Sequence, residues 1–89
     1  MPQRVVPIVN RLGMHARAAA KFVSLASQYA ADIHVSREQQ RVNGKSIMGV
    51  MMLAAAQGSE ITIEAEGEDA DEALDALAEL VADRFGEEA

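Results

Sequence analysis

Apolar side chains along this chain switch between two spacings. Val6 and Ile8 fall on one side of a two-residue repeat, which predicts a short strand over Arg4–Val9. Pro7 has no N–H to give to a ladder, so that strand belongs at a sheet edge. From Ala16 to about Gln28 the period lengthens. Ala19, Phe22, Val23 and Ala26 recur at helical spacing, with Arg17, Lys21 and Ser24 on other faces. Asp32 to Ser36 alternates again with Ile33 and Val35 inward, and a turn at Arg37–Gln39 leads into a second short strand around Gln40–Val42, predicting a hairpin.

Asn43-Gly44-Lys45-Ser46 interrupts the pattern before a short apolar helix, Ile47 to Leu53, with Gly58 as its closing signal. Glu60 to Glu66 alternates cleanly, Ile61, Ile63 and Ala65 sharing a face. After Gly67, Asp69 followed by Glu72 has the spacing of an N-terminal capping box. Ala73, Leu74, Leu77, Leu80 and Val81 then form the stripe of a last helix. The predicted order is β-α-β-β-α-β-α. Only one face of each strand is apolar, so the fold class is α+β: an open-faced two-layer sandwich, a four-stranded antiparallel sheet covered on one side by three helices.

Composition narrows the function. With 89 residues, 49% of them hydrophobic, the chain is expected to form one domain over 1–89, too small for a cleft between domains. Three aromatic residues, Phe22, Tyr29 and Phe85, are too few for base-stacking platforms, and the net charge of -6 also disfavours nucleic acid. Without cysteine there are no disulfides or thiolate metal sites, and no apolar run suits a signal peptide or membrane insertion, so a cytoplasmic location is expected; the chain is also expected to be a monomer. The charge is divided unevenly. Residues 1–59 carry seven Lys/Arg against Asp32 and Glu38, whereas residues 60–89 carry Arg84 against twelve acids. The basic part should attract phosphate or an acidic partner surface.

His15 lies in that basic part, between a Gly13-Met14 pair and the first helix. As the N-cap it would face the free N–H groups of Ala16, Arg17 and Ala18 and the positive end of the helix dipole, roughly half a charge. That field favours a bound anion and leaves a ring nitrogen with a free lone pair. Arg17 can bring a planar fork of donors to phosphoryl oxygens, and Gly13 lets the loop turn tightly. These residues suit a transient phosphohistidine. On the residues alone, a surface histidine that only caps a helix is the simpler reading, and a small regulatory domain without covalent chemistry shares the same α+β pattern.

Gly13-Met14-His15-Ala16-Arg17, Asn43-Gly44-Lys45-Ser46-Ile47-Met48-Gly49-Val50-Met51, Ala56-Gln57-Gly58-Ser59-Glu60-Ile61 and Ala65-Glu66-Gly67-Glu68-Asp69 occur in this order along nearly the whole chain. Together they resemble HPr, the family of histidine-containing phosphocarriers of the bacterial phosphoenolpyruvate-dependent phosphotransferase system. The resemblance implies strand order 1-4-2-3, no cofactor and no enzymatic turnover. It implies that His15 accepts a phosphoryl group on Nδ1 from phosphorylated enzyme I and passes it to enzyme IIA domains, with Arg17 steadying the phosphoryl oxygens. Ala18 departs from the family's usual proline, and Asn10-Arg11-Leu12-Gly13-Met14 resembles the nitrogen-related (NPr-like) branch, which serves regulatory partners.

Ser46 is placed to cap the short helix, and the resemblance adds a second role as a substrate of HPr kinase/phosphorylase. A helix as short as Ile47–Leu53 cannot bury Met48, Met51 and Met52 together, so at least one should be exposed, and Met14, Ile47, Met48 and Met51 are the residues expected in a soft docking patch near His15. His34, between inward Ile33 and Val35, should face solvent. Asp71, Glu72, Asp75 and Glu79 read as a solvated helix face, with no metal expected.

Overall fold

In the computed structural model, which describes residues 2–89, the alternating segments pair into one antiparallel sheet in the order β1-β4-β2-β3. The strands are β1 (Gln3–Pro7), β2 (Asp32–Arg37), β3 (Gln40–Asn43) and β4 (Glu60–Glu66). Pro7 stands opposite Glu60 on the outermost strand, where its missing N–H costs no ladder bond. Val35 pairs with Val42 and with Ile63, so the register turns Ile33, Val35, Ile61, Ile63 and Ala65 to one buried face. The helices are α1 (Ala16–Ala26), α2 (Ile47–Met52) and α3 (Ala70–Ala82). Phe22 of α1 and Leu74, Leu77 and Val81 of α3 close that face, each fully buried side chain contributing about 1.5–3 kcal/mol. The opposite face stays open, and there His34 is half-buried beside Glu64 and Asn43 rather than free in solvent.

Four local expectations change. The regular part of β1 ends at Pro7, although Ile8 still exchanges backbone hydrogen bonds with Ser59 and Gly58 at 2.8 Å. Helix α1 stops at Ala26 because the next amides tighten to three-residue spacing, Gln28 N–H to Leu25 O and Tyr29 N–H to Ala26 O. Gly58 does not close α2. That helix ends at Met52, and Ala54, at φ +50°, supplies the left-handed residue that terminates it. Asp69 precedes α3 but makes no side-chain cap. Its carboxylate instead accepts the N–H groups of Ala30 and Ala31, both at 2.8 Å, tying the start of α3 to the entry of β2. The Ala30 hydrogen bond is the main reason its carboxyl lies below the usual aspartate range; partial burial opposes it, and Ala31 and Lys45 reinforce it.

The chain after α3 was not legible as structure. Arg84–Gly86 forms a tight turn in which Arg84 (φ +57°) and Phe85 (φ +54°) are left-handed, an unfavourable backbone held by complete burial of the Phe85 ring.

Candidate functional site at the start of the first helix

The loop before α1 is built around a buried amide. Asn10 is wholly buried, and its Nδ2 donates to Gly13 O at 2.8 Å and to Glu87 Oε1 at 2.9 Å. Gly13 (φ +69°) then turns the chain, its N–H bonding to Asn10 O, and the Met14 N–H reaches Ala55 O at 2.8 Å. A Cβ on Gly13 would lie 2.6 Å from that same Ala55 oxygen, so both the dihedral and the space require glycine. The chain enters α1 with His15 extended at the N-cap, φ -78° and ψ 179°.

Both ring nitrogens of His15 are engaged. Nδ1 accepts the Arg17 N–H at 3.3 Å, and Nε2 meets the Glu87 carboxylate. The ring keeps 28% of its side-chain surface in contact with solvent, Glu87 16%. Arg17 is exposed and, with Arg11, Leu12 and Glu88, lines an open depression around the imidazole. The tail that delivers Glu87 is pinned by the buried Phe85 ring and by Lys21 Nζ, which donates to Phe85 O at 2.7 Å. The Asn10 hydrogen bond is foremost in holding the Glu87 carboxyl below the usual glutamate range; burial opposes it, and contact with His15 and the charge of Lys21 add to it.

Of the three N–H groups expected at the ring, the Arg17 N–H is the one hydrogen-bonded to it; Ala16 is exposed and the Ala18 side chain lies in the core. The expected docking patch also loses a member. Met14 is 5% exposed and packs in the hydrophobic core, while its N–H is held by Ala55 O. Only Val50 of α2 is buried, so Ile47, Met48, Met51 and Met52 are all exposed, Met48 at 72%. Ser46 caps α2 through its Oγ, which accepts the Gly49 N–H at 3.1 Å. Sequence reasoning missed Asn10, Lys21 and Glu87 as parts of this site. The available signal was a lone aromatic, Phe85, in a polar, mostly acidic tail.

The arrangement offers a nucleophilic nitrogen at a helix N-terminus, with an exposed guanidinium two residues away. A family model described as the PTS HPr component phosphorylation site matches residues 2–83. The chain belongs to the HPr family of phosphocarriers. HPr relatives cover almost its entire length: it is 53% identical over 87 residues to Phosphocarrier protein HPr of Cupriavidus necator, covering 98% of each chain. The crystal structure of HPr-C-His from Thermoanaerobacter tengcongensis matches it at a TM-score of 0.96 and 44% identity, covering 100% of both chains. Phosphocarrier protein NPr of Shewanella violacea is 42% identical over 85 residues, covering 96% of this chain and 93% of the other. HPr proteins are carriers that are themselves phosphorylated rather than enzymes. Among the described residues no helix is long and apolar enough to cross a membrane.

Proposed function

We propose that His15 accepts a phosphoryl group on Nδ1 from phosphorylated enzyme I and passes it to enzyme IIA domains. The observation that carries this reading is the His15 ring itself, solvent-accessible at the N-cap of α1 with Nδ1 turned to the helix N-terminus. The dipole and the N–H groups there favour the phosphoryl anion, and the Arg17 guanidinium steadies its oxygens. Ile47, Met48 and Met51 form the apolar docking surface, and flexible methionines let one surface meet unrelated partners. Ser46 is a regulatory phosphorylation site for an HPr kinase/phosphorylase, because a phosphate at the N-cap of α2 adds charge beside that surface.

The test is incubation with phosphoenolpyruvate and enzyme I, followed by mass spectrometry for the gain of about 80 Da that one phosphoryl group brings. The product should be acid-labile and alkali-stable, as a nitrogen–phosphorus bond is. His15→Ala should fold, losing about 1 kcal/mol with its cap, and gain no mass. Transfer that persists in this variant, or an acid-stable product, refutes the assignment. Parallel incubations with the sugar-branch and nitrogen-branch forms of enzyme I show by relative rate which pathway the carrier serves.

A further inference from the structure

We propose that Glu87, braced by Asn10, is the positioning residue of the His15 site: it keeps the ring proton on Nε2 and so makes Nδ1 the nitrogen that takes and releases the phosphoryl group. The inference rests on the reading of His15 as acceptor and concerns a residue beyond the 2–83 match to the family.

The Asn10 amide has one workable orientation. Its Nδ2 serves two acceptors, Gly13 O and Glu87 Oε1, while its Oδ1 is buried with no partner among the described residues. Turning the amide over would set that oxygen against both acceptors. A buried carbonyl thus goes unsatisfied so that one N–H can hold the loop and the other the carboxylate.

The carboxylate in turn selects the ring tautomer. An ionised carboxylate only accepts, so the imidazole nitrogen that meets it carries the hydrogen, and the Nδ1 lone pair is left to accept the Arg17 N–H. The opposite tautomer would set a lone pair against Glu87 and an N–H against an N–H. Arg11 and Arg17 line the ring's depression from the loop and from α1, and Glu88 lines it from the tail. Lys21 of α1 acts on Glu87 through its charge, and among the described residues Glu87 is the charged side chain in contact with the ring.

Phosphoryl uptake then has a defined course. The Nδ1 lone pair forms the new N–P bond while the donor's P–N bond breaks, and that electron pair leaves with the donor nitrogen. The ring keeps its Nε2 proton and acquires a positive charge opposite the Glu87 carboxylate. Release to the next acceptor reverses these changes.

Phosphoramidate, a small donor whose leaving group is ammonia, tests this without a partner protein. Two-dimensional NMR of 15N-labelled phosphorylated chain reads which ring nitrogen carries phosphorus. The parent should give the Nδ1 product alone. Glu87→Ala frees Nε2 and should yield both isomers, with uptake at Nδ1 about tenfold slower from lost positioning. Glu87→Gln has one carbonyl oxygen for two donors, Asn10 Nδ2–H and His15 Nε2–H, so its NH2 must face one of them and it should give an Nδ1 share between those of the parent and Glu87→Ala. A Glu87→Ala chain that folds and still gives only the Nδ1 product at the parental rate overturns the positioning role. Undiminished phosphoryl uptake by His15→Ala overturns the acceptor reading instead, whatever Glu87 does.

Discussion

Replacing Gly13 by alanine should damage this protein far more than the same change at Gly58, although both glycines have positive φ, +69° and +92°. At Gly58 nothing lies within 4 Å of the added Cβ, so the cost is left-handed strain alone, about 1–2 kcal/mol. Reduced freedom of the unfolded chain returns about 0.4–1 kcal/mol of that. The net loss should be about 1 kcal/mol. At Gly13 the same terms apply, and the Cβ also meets Ala55 O at 2.6 Å and Ala56 Cα at 3.0 Å. Both obstacles are backbone and cannot swing aside. Restoring ordinary contact moves the loop by about 0.8 Å and strains the 2.8 Å hydrogen bond from Met14 N–H to Ala55 O, for a further cost of about 2 kcal/mol. The total is about 3 kcal/mol. In a domain of this size that lowers Tm by roughly 15 °C, against roughly 5 °C for Gly58→Ala. Urea titration of both variants beside the parent measures the difference directly. Because the displaced loop carries His15, Gly13→Ala should also slow phosphoryl uptake at temperatures where it remains folded. Equal stability losses in the two variants would refute the account of the Ala55 contact.

Asp69 should give the stability a pH dependence. Its carboxyl binds a proton less readily in the folded chain than in the unfolded one, so its contribution is complete above the ordinary aspartate value of about 3.9 and is lost as pH falls through the lower folded value. Thermal melts of the parent and Asp69→Asn should therefore converge as pH drops below about 4, and a constant gap would contradict the Ala30 and Ala31 hydrogen bonds. Ser46→Ala should lose about 1 kcal/mol with its bond to Gly49 N–H, while Ser46→Asp should hold stability yet slow enzyme I-dependent phosphorylation. If Ser46→Asp is phosphorylated at the parental rate, Ser46 is a cap and nothing more. Arg17→Ala, at an exposed position, should change Tm by no more than about 3 °C and slow phosphotransfer about tenfold or more, with Arg17→Lys between the two. Equal transfer rates in all three would assign Arg17 to solvent.

The elements were legible wherever a local period is strong. Strand Glu60–Glu66 was evident from its alternation and the last helix from its Ala73/Leu74/Leu77/Leu80/Val81 stripe, of which only Leu80 stays half-buried, since each of these patterns buries one face only in one kind of backbone. Pro7 on an outer strand followed from its missing donor. The strand order itself came from resemblance, because period gives a strand its face and not its neighbour. Helix ends were misjudged where the terminating device was not the usual residue, as with Ala54 acting where Gly58 was expected. His15 could be singled out from its neighbours in sequence, since the N-cap, Gly13 and Arg17 all lie within a few residues of it. The other half of its surroundings could not. Glu87 is 72 residues away from His15 and 77 from Asn10, and no local pattern encodes such a contact. It exists only after Phe85 is drawn into the core and Lys21 holds its carbonyl. Met14 shows the same divide in reverse: apolar and adjacent to the site, it reads as surface, yet the folded layers set its N–H against the distant Ala55 O and its side chain in the core. Local periodicity acts over a few residues and was determined by the sequence alone, as were the caps at His15 and Ser46, whereas Asp69 gave up its expected cap for the distant N–H groups of Ala30 and Ala31. Which distant groups share a buried hydrogen bond depends on how the layers close, and the tertiary structure decided it.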